Sequence, residues 1–335
     1  MSGQNNCDVT INQDGRFNMS ESINARCLPE AWHRACLACW KQGIRVETPK
    51  HQSDQPLGYD IATPILITHP LEEPRIHKYA ITDDPAGLEN YRLEIAFGIH
   101  DHWVGDELDK QRWQYTYHGR FEQFDQINRA IRTAKKDFID KGRFGRNYVL
   151  HTWDRENDIE CPDPPCLQTI QWRILRDYTL PDVWRLNFVT TWRSRDLFKA
   201  WFENAYAITY WQKLLASQLS IAIGIDIQVG SYSDFAASNH LYGLYFKGGN
   251  SIEKLIQRMD EQCWYDFAED TSWYLPDDVI SNIRHTTAAQ LAYEKHSLKQ
   301  TGEADKKASI ETMQNDKAFN CPDVMKFPYP LSWDA

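Results

Sequence analysis

Pro164-Pro165-Cys166-Leu167-Gln168-Thr169-Ile170-Gln171 is the stretch on which the reading of this chain turns. Each proline locks its own φ and lacks a backbone donor, so the chain enters the cysteine stiffly. Leu167 to Leu175 then predicts a strand, and a second follows from Leu186 to Trp192, after a turn region holding Pro181 and Asp182. A thiol at the mouth of a strand, behind a diproline, is held in one place. Beyond the second strand come Arg193-Ser194-Arg195-Asp196 and, further on, Asn204.

Outward from this core the chain runs in blocks of helix and strand. Pro29 and Gly43 bracket a helix over residues 29–42, and residues 61–68 predict a strand closed by Pro70. Leu88 to Phe97 predicts a helix ending at Gly98. Another runs from Asp125 to about Ile139, with Ile127, Ala130, Ile131 and Ala134 at helical spacing. Tyr148 to Trp153 predicts a strand. Leu197 to Leu219 predicts a long helix, followed by strands over Ile223 to Tyr232 and around His240 to Phe246, then helices over 250–263 and 275–298. Gln300 to Asp316 is charged and low in aromatics, which predicts a loop or connector. There is no internal repeat. The expected organisation is a polar extension over residues 1–25 and a single α+β domain over 26–335, with its core at 90–245 and a helical region at 250–335.

Composition narrows the function. The chain has 335 residues, 42% of them hydrophobic and 25% charged, which is globular. A net charge of −10 argues against a nucleic-acid coat or an anionic membrane surface, both of which want extended cationic faces. It is compatible with a nucleotide, because one phosphate needs only a local group of arginines. No run is long and apolar enough for a membrane helix, and the first twenty residues lack the apolar core of a secretory signal. Eight cysteines in a chain this long predict reduced thiols, hence a cytoplasmic setting.

Each candidate has a plainer reading beside it. A buried cysteine is often a small hydrophobe. Cys166 becomes a nucleophile only where a neighbour such as the Arg193 guanidinium favours its thiolate, yet Arg193 could instead pair with Asp196. Ser194 can donate to a phosphate. Arg143 and Arg146 form a second cationic pair, or a solvated surface. Asn204 offers a donor and an acceptor that suit the edge of uracil, or sits on a helix surface. His240 and Tyr242 share one strand face and could reach a sugar hydroxyl, or satisfy backbone groups. Cys36-Leu37-Ala38-Cys39 has CxxC spacing but lies in an amphipathic helix without a second pair, so packing is the better reading. His100-Asp101-His102 would place two imidazoles on one strand face with no third ligand. No metal is expected, and there is no Walker loop or GxGxxG.

Pro165-Cys166, Gln171, Arg193-Ser194-x-Asp196, Asn204 and His240-x-Tyr242 resemble, in order and approximate spacing, the thymidylate synthase and pyrimidine-nucleotide hydroxymethylase family. Tyr115-Thr116-Tyr117-His118-Gly119-Arg120, Asp125-Gln126-Ile127 and Arg146 before Trp153 fit the same pattern, over about residues 90–245. Leucine after the cysteine is similar to the divergent archaeal, bacterial and phage branch. The resemblance implies an α+β fold with a large twisted mixed sheet packed by helices, and a homodimer. It implies 5,10-methylenetetrahydrofolate as co-substrate and a pyrimidine nucleoside monophosphate as acceptor. Cys166 would attack C6, with Glu94 as general acid/base and Tyr117 relaying protons. Arg193 and Ser194 would hold the phosphate, with Arg146 of the partner subunit. Gln171 and Asn204 would read the base, His240 and Tyr242 the sugar, and Asp196 the pterin. A further phosphate arginine would be Arg45 or Arg75.

The chain also departs from the family. Leu167 stands where housekeeping enzymes carry histidine, Asn147 replaces one of a paired arginine, and Ala200 and Glu203 replace the usual glycine and phenylalanine. The ending Pro328 to Ala335 does not resemble the tail that closes over folate and excludes water. These departures favour hydroxymethylation of dUMP, with methylation to dTMP as the alternative. Asn204 favours uracil over cytosine, since cytidylate users of the family carry aspartate there. Rivals from other classes are a catalytically silent nucleotide-binding protein and a cysteine–histidine hydrolase, the latter requiring His240 to touch Cys166.

Overall fold

The computed structural model describes residues 21–47, 52–81, 85–104, 113–248, 251–262, 264–273, 280–283 and 285–287. The first twenty residues, the charged 300–316 segment and the Pro328 to Ala335 ending lie outside the described residues.

The two strands flanking the decisive turn form as expected. In β6 (Leu167–Arg176), Leu167, Ile170, Trp172 and Ile174 are buried, while Thr169, Gln171 and Arg173 are half-buried on the other face. β7 (Val183–Trp192) repeats this alternation with Leu186, Phe188 and Trp192 inward. Period-two patterning of this kind commits one face of a sheet to a core. What covers that face is α5 (Ala200–Ile223), which is apolar nearly all round and ends at Gly224 with φ 81°. Trp211 of this helix lies 5.4 Å from Phe188 and 5.1 Å from Phe121, centroid to centroid.

α5 is the crossover from β7 to a parallel neighbour, β9 (Asp226–Leu241), and these two strands make the centre of the sheet. On the far side β9 pairs antiparallel with β3 (Gly58–Ile67). β3 carries β1 (Ile23–Ala25) in parallel and β2 (Ile44–Val46) antiparallel. On the near side β6 pairs antiparallel with β7 and with β5 (Val149–His151). β8 (Arg195–Asp196) joins the end of β9. The sheet is therefore large and mixed. The β7–β9 register slips between Leu186 and Phe188, and side-chain amides repair the break. Asn187 Oδ1 accepts from the Ser231 N–H at 2.9 Å, and Gln212 Nε2 donates to the Leu186 and Ser231 carbonyls at 2.7 and 3.1 Å.

Helices α1 (Leu28–Gln42), α2 (Pro85–Phe97) and α4 (Gln126–Lys141) stand where the patterning predicts them. Cys36 and Cys39 are buried within α1. Several expectations are corrected. The two strands expected between Ile223 and Phe246 are the single strand β9 followed by one 3-10 turn at Gly243–Phe246. Its small polar stretch Ser231 to Ser238 reads as a break, but pairing on both sides keeps it extended. α5 begins at Ala200 rather than Leu197, because the Leu197 carbonyl is taken by the Trp32 indole N–H at 2.8 Å. His100-Asp101-His102 enters a 3-10 turn, Asp101–Trp103, not a strand. α3 (Tyr117–Glu122) was not foreseen, and its N-cap is Thr116, which accepts from the Gly119 N–H. β1 lies inside the stretch expected to be a polar extension: Ile23 and Ala25 face the core. α6 (Glu253–Glu261) matches its expectation. α7 (Trp264–Thr271) and β10 (Ser272–Trp273), paired with β4 (Ile76–His77), were not anticipated.

Below the sheet, His33 and His77 sit in an aromatic nest with Trp32, Trp264 and Phe267; His77 is 4.5 Å from Trp32 and His33 is 4.9 Å from Phe267. Burial depresses His33 to about 4 and His77 to about 3. The Tyr79 N–H donates to His77 Nδ1 at 3.2 Å, which fits a neutral ring. Above about 6.5 both imidazoles are neutral folded or unfolded. Below that, the unfolded chain takes up protons the folded one refuses, so stability is present above 6.5 and lost as pH falls towards 4 and 3. Urea unfolding should therefore lose about 2 kcal/mol per histidine between pH 6.5 and 5, and His77→Phe should remove about half of that pH dependence.

Candidate active site

Cys166 leaves the diproline at the base of a cavity of about 570 Å³. Its walls come from five places: Tyr91 and Glu94 of α2, the run Trp113 to Tyr117, Asp163 and Cys166, Ser194 to Asp196 leading into the first turns of α5, and His240 with Tyr242 at the end of β9. The cavity lies at the ends of β7 and β9, where the sheet stops and the chain must turn.

Two sets of bonds place the cysteine. From behind, Arg193 donates from Nε to the Pro165 carbonyl at 3.1 Å and from Nη2 to the Pro164 carbonyl at 2.6 Å, while its own N–H donates to the Cys166 carbonyl at 2.9 Å. From the cavity side, the Leu167 N–H donates to the Tyr117 hydroxyl at 3.2 Å. Cys166 is half-buried. Burial, and then the negative charge a Cys166 thiolate would carry, push the Tyr117 phenol up to about 12. Tyr115 shares a hydrogen bond with Tyr117 and is raised for the same two reasons and by Tyr117 itself. The thiol thus lies in electrostatic reach of a pair of protonated phenols.

The opposite wall is carboxylate-rich. Asp196 accepts from the Tyr245 hydroxyl and from the Phe198 N–H at 3.1 Å, and burial raises it above the usual carboxylate range. Glu94 contacts His100 Nδ1 at 3.0 Å, and His100 stacks on Trp103 with centroids 3.7 Å apart. Asn204 Nδ2 donates to the Tyr91 hydroxyl at 2.6 Å. The His240 and Tyr242 rings meet edge to face at 4.5 Å. Behind them Ser238 links His240 Nδ1, at 3.2 Å, to Asp60, which accepts its hydroxyl at 2.8 Å. Such a constellation can do nucleophilic chemistry at the thiol, move protons through phenols and a carboxylate, and hydrogen-bond a flat polar ring.

Cys166, Glu94, Tyr117, Ser194, Asp196, Asn204, His240 and Tyr242 all line this one cavity. Arg193 is half-buried behind the cysteine loop rather than on the wall. Gln171 and Arg146 lie away from it, with Gln171 Nε2 donating to the Arg146 carbonyl at 3.0 Å. Arg75 is buried in the fold, donating to the Tyr206 carbonyl at 3.1 Å and Thr209 Oγ1 at 2.8 Å; this corrects its candidacy for a phosphate. Arg45 stacks over Tyr59 at 4.0 Å, also outside the cavity wall. Sequence reasoning missed Tyr91, Trp113, Gln114, Asp163 and Asp60, and it named Tyr115 and Glu203 without giving either a place in the site. Tyr91 had a signal, since it stands three residues before Glu94 and shares its helix face. Among the described residues no group of three or more potential ligands could hold a metal, and no helix is long and apolar enough to cross a membrane.

Comparison with known proteins gives a consistent picture at the sequence level. No family model matches the chain. It is 28% identical over 165 residues to a protein described as "Putative thymidylate synthase" from Methanothermobacter marburgensis, and 30% identical over 165 residues to one of the same description from Methanothermobacter thermautotrophicus. Each alignment covers 45% of this chain and 66% of the relative, so the chain spans about two thirds of the relatives it matches. Among solved structures, thermostable thymidylate synthase A from Bacillus subtilis aligns with a TM-score of 0.47 at 12% identity, covering 71% of this chain and 85% of that one.

Asp60 gives this site a pH signature of its own. Burial raises it to about 6. Its protonated form is what the fold accommodates, so the stability it lends is complete below about 4 and lost as pH rises through 6. Asp60→Asn should therefore be more stable than the parent by roughly 1–3 kcal/mol at pH 8 and nearly equal to it at pH 4, measured by urea unfolding.

Proposed function

The chain is thymidylate synthase-like in sequence, and from that premise we propose that it transfers a folate-borne one-carbon unit to C5 of a pyrimidine nucleoside monophosphate. The observation that carries this reading is convergence: Cys166, Glu94, Tyr117, Asp196, Asn204, His240 and Tyr242 meet around one cavity although they are spread over 149 positions (94 to 242). Binding alone has no need of a thiol held from two sides.

In this reading Cys166 adds to C6, which places carbanion character at C5. Asn204 reads the base. His240 and Tyr242 hold the sugar and Ser194 takes the phosphate, while Arg193, expected to share it, holds the cysteine loop from behind. Glu94 and Tyr117 manage the protons at O4 and C5. For the folate, Asp196 on the cavity wall would accept from the pterin amide and Trp113 would offer an aromatic face, a reading supported by both residues lining the cavity. Bound there, the folate supplies the electrophilic carbon that C5 takes. We prefer water over hydride as the group that completes the reaction, giving a hydroxymethyl product from dUMP. Glu203, where the family usually has phenylalanine, puts a carboxylate on the cavity wall that can hold water. Methylation to dTMP is the alternative outcome, and a cytidylate substrate comes after it.

Arg146 and Gln171 lie on the half-exposed face of β6 and its neighbour loop, away from their own cavity. This placement favours a homodimer in which Arg146 of the partner subunit completes the phosphate site. Sedimentation should give a dimer, and a monomer would remove that part of the proposal.

The decisive test is incubation of the protein with dUMP, dCMP or CMP and methylenetetrahydrofolate, with products identified by mass. A hydroxymethyl nucleotide without dihydrofolate supports the preferred outcome, and dTMP with dihydrofolate supports the alternative. Cys166→Ser should lower turnover by at least about 10³-fold. No product from any nucleotide would overturn the enzyme reading.

A further inference from the structure

Asn204 is a buried amide on a cavity wall, and its partner comes from another helix. Its Nδ2 donates to the hydroxyl of Tyr91, 2.6 Å away, and both side chains line the cavity beside Glu94 and Glu203. An asparagine amide is ambidextrous when nothing holds it: half a turn about its last torsion exchanges donor and acceptor. The edges of uracil and cytosine are related by the same exchange. Uracil offers N3–H and O4, whereas cytosine offers N3 and N4–H₂. An amide that can turn over reads both bases, and one that is held reads only one.

We infer that Tyr91 is a specificity-determining residue: its hydroxyl locks the Asn204 amide in one orientation and so lets the site discriminate between uracil and cytosine nucleotides. The inference rests on the nucleotide reading given above. What keeps a hydroxyl from serving both orientations is the charge around it. Burial holds the Tyr91 phenol protonated, well above its usual range, and the negative charges of Glu94 and Glu203 act on it in the same direction. The geometric anchor is the 2.6 Å bond itself, in which the Tyr91 oxygen is the acceptor, so on this inference its proton is directed away from Asn204, to the side of the cavity where the carboxylates stand. With that acceptor fixed, the amide keeps its N–H₂ on the Tyr91 side. The Asn204 carbonyl oxygen is thereby turned the other way, to meet a ring N–H. Tyr91 acts through Asn204 and is a positioning residue, not a catalytic one.

Calorimetric titration of dUMP and dCMP against the parent, Tyr91→Phe, Asn204→Ala and the double variant tests this. The parent should bind the two nucleotides with affinities about tenfold apart, and Tyr91→Phe should bring that ratio down by about five- to tenfold while retaining the ring and the far-ultraviolet dichroism of the parent. In the Asn204→Ala background Tyr91→Phe should shift the ratio by less than about twofold, because the lock has nothing left to hold. A ratio unchanged in Tyr91→Phe, or a shift that persists without Asn204, overturns the lock and leaves the nucleotide reading standing. A parent that binds both nucleotides equally also overturns the lock alone. A parent that binds neither removes the nucleotide reading and this inference with it.

Discussion

The guanidinium of Arg193, forked onto the carbonyls of Pro164 and Pro165, is the contact on which the site's geometry depends. Prolines supply no N–H, so the loop before the cysteine cannot be fastened by an ordinary ladder. Its carbonyls are the groups left to hold, and a cation is the strongest donor for them, at about 1.5–3 kcal/mol per bond. The Arg193 N–H meets the Cys166 carbonyl as well, so the end of β7 and the cysteine loop move as one body. Tyr117, reaching from α3 to the Leu167 N–H, closes the other side. Rigidity at the thiol thus comes from hydrogen bonds made by its neighbours.

Beneath that loop the charge is arranged as carefully as the backbone. Arg195 is buried at the cavity floor, paired with Asp234 at 2.5 Å and lying 3.6 Å over the Trp192 ring. Trp192 in turn meets Tyr117 edge to face at 6.0 Å. Asp234 also accepts from the Tyr232 hydroxyl at 2.8 Å. A buried pair of this kind contributes little net stability, but losing one partner strands the other, so it fixes position more than it adds energy. The cationic centre is spent inside the fold, and the cavity wall that remains is rich in carboxylates. An anionic ligand group must therefore turn towards Ser194 and away from Glu94 and Glu203.

How much of this was legible in the amino-acid string depended on distance along the chain. Cys166, Ser194 and Asp196 were legible because each stands in a short patterned run whose spacing survives without coordinates, and Asn204 only through its place in the order that the family resemblance supplies. The helices α1, α2 and α4 were legible from period and from the glycines after them. β9 was misread as two strands because its middle is small and polar, and only its two flanking strands, β3 and β7, make it continuous. Tyr91 and Asp60 were missed for a related reason. Their partners lie 113 and 178 positions away, and no local pattern announces a bond of that span. What Arg193 touches was equally hidden, since a cation's preference for carbonyls over a carboxylate is settled by tertiary placement.

The position of β9 in the sheet has a consequence for how the molecule is made. β3 and β7 are synthesised well before it, yet both border it, and neither borders the other. Until residue 241 is available, the nascent chain therefore carries two part-sheets, each with an open edge that wants a strand. Open edges are where chains mispair with one another. The strand that closes both also delivers His240 to the cavity, so the same event that silences the two edges completes the wall of the site. A chain interrupted before that point would have the thiol and most of its surroundings but not the His240 and Tyr242 wall.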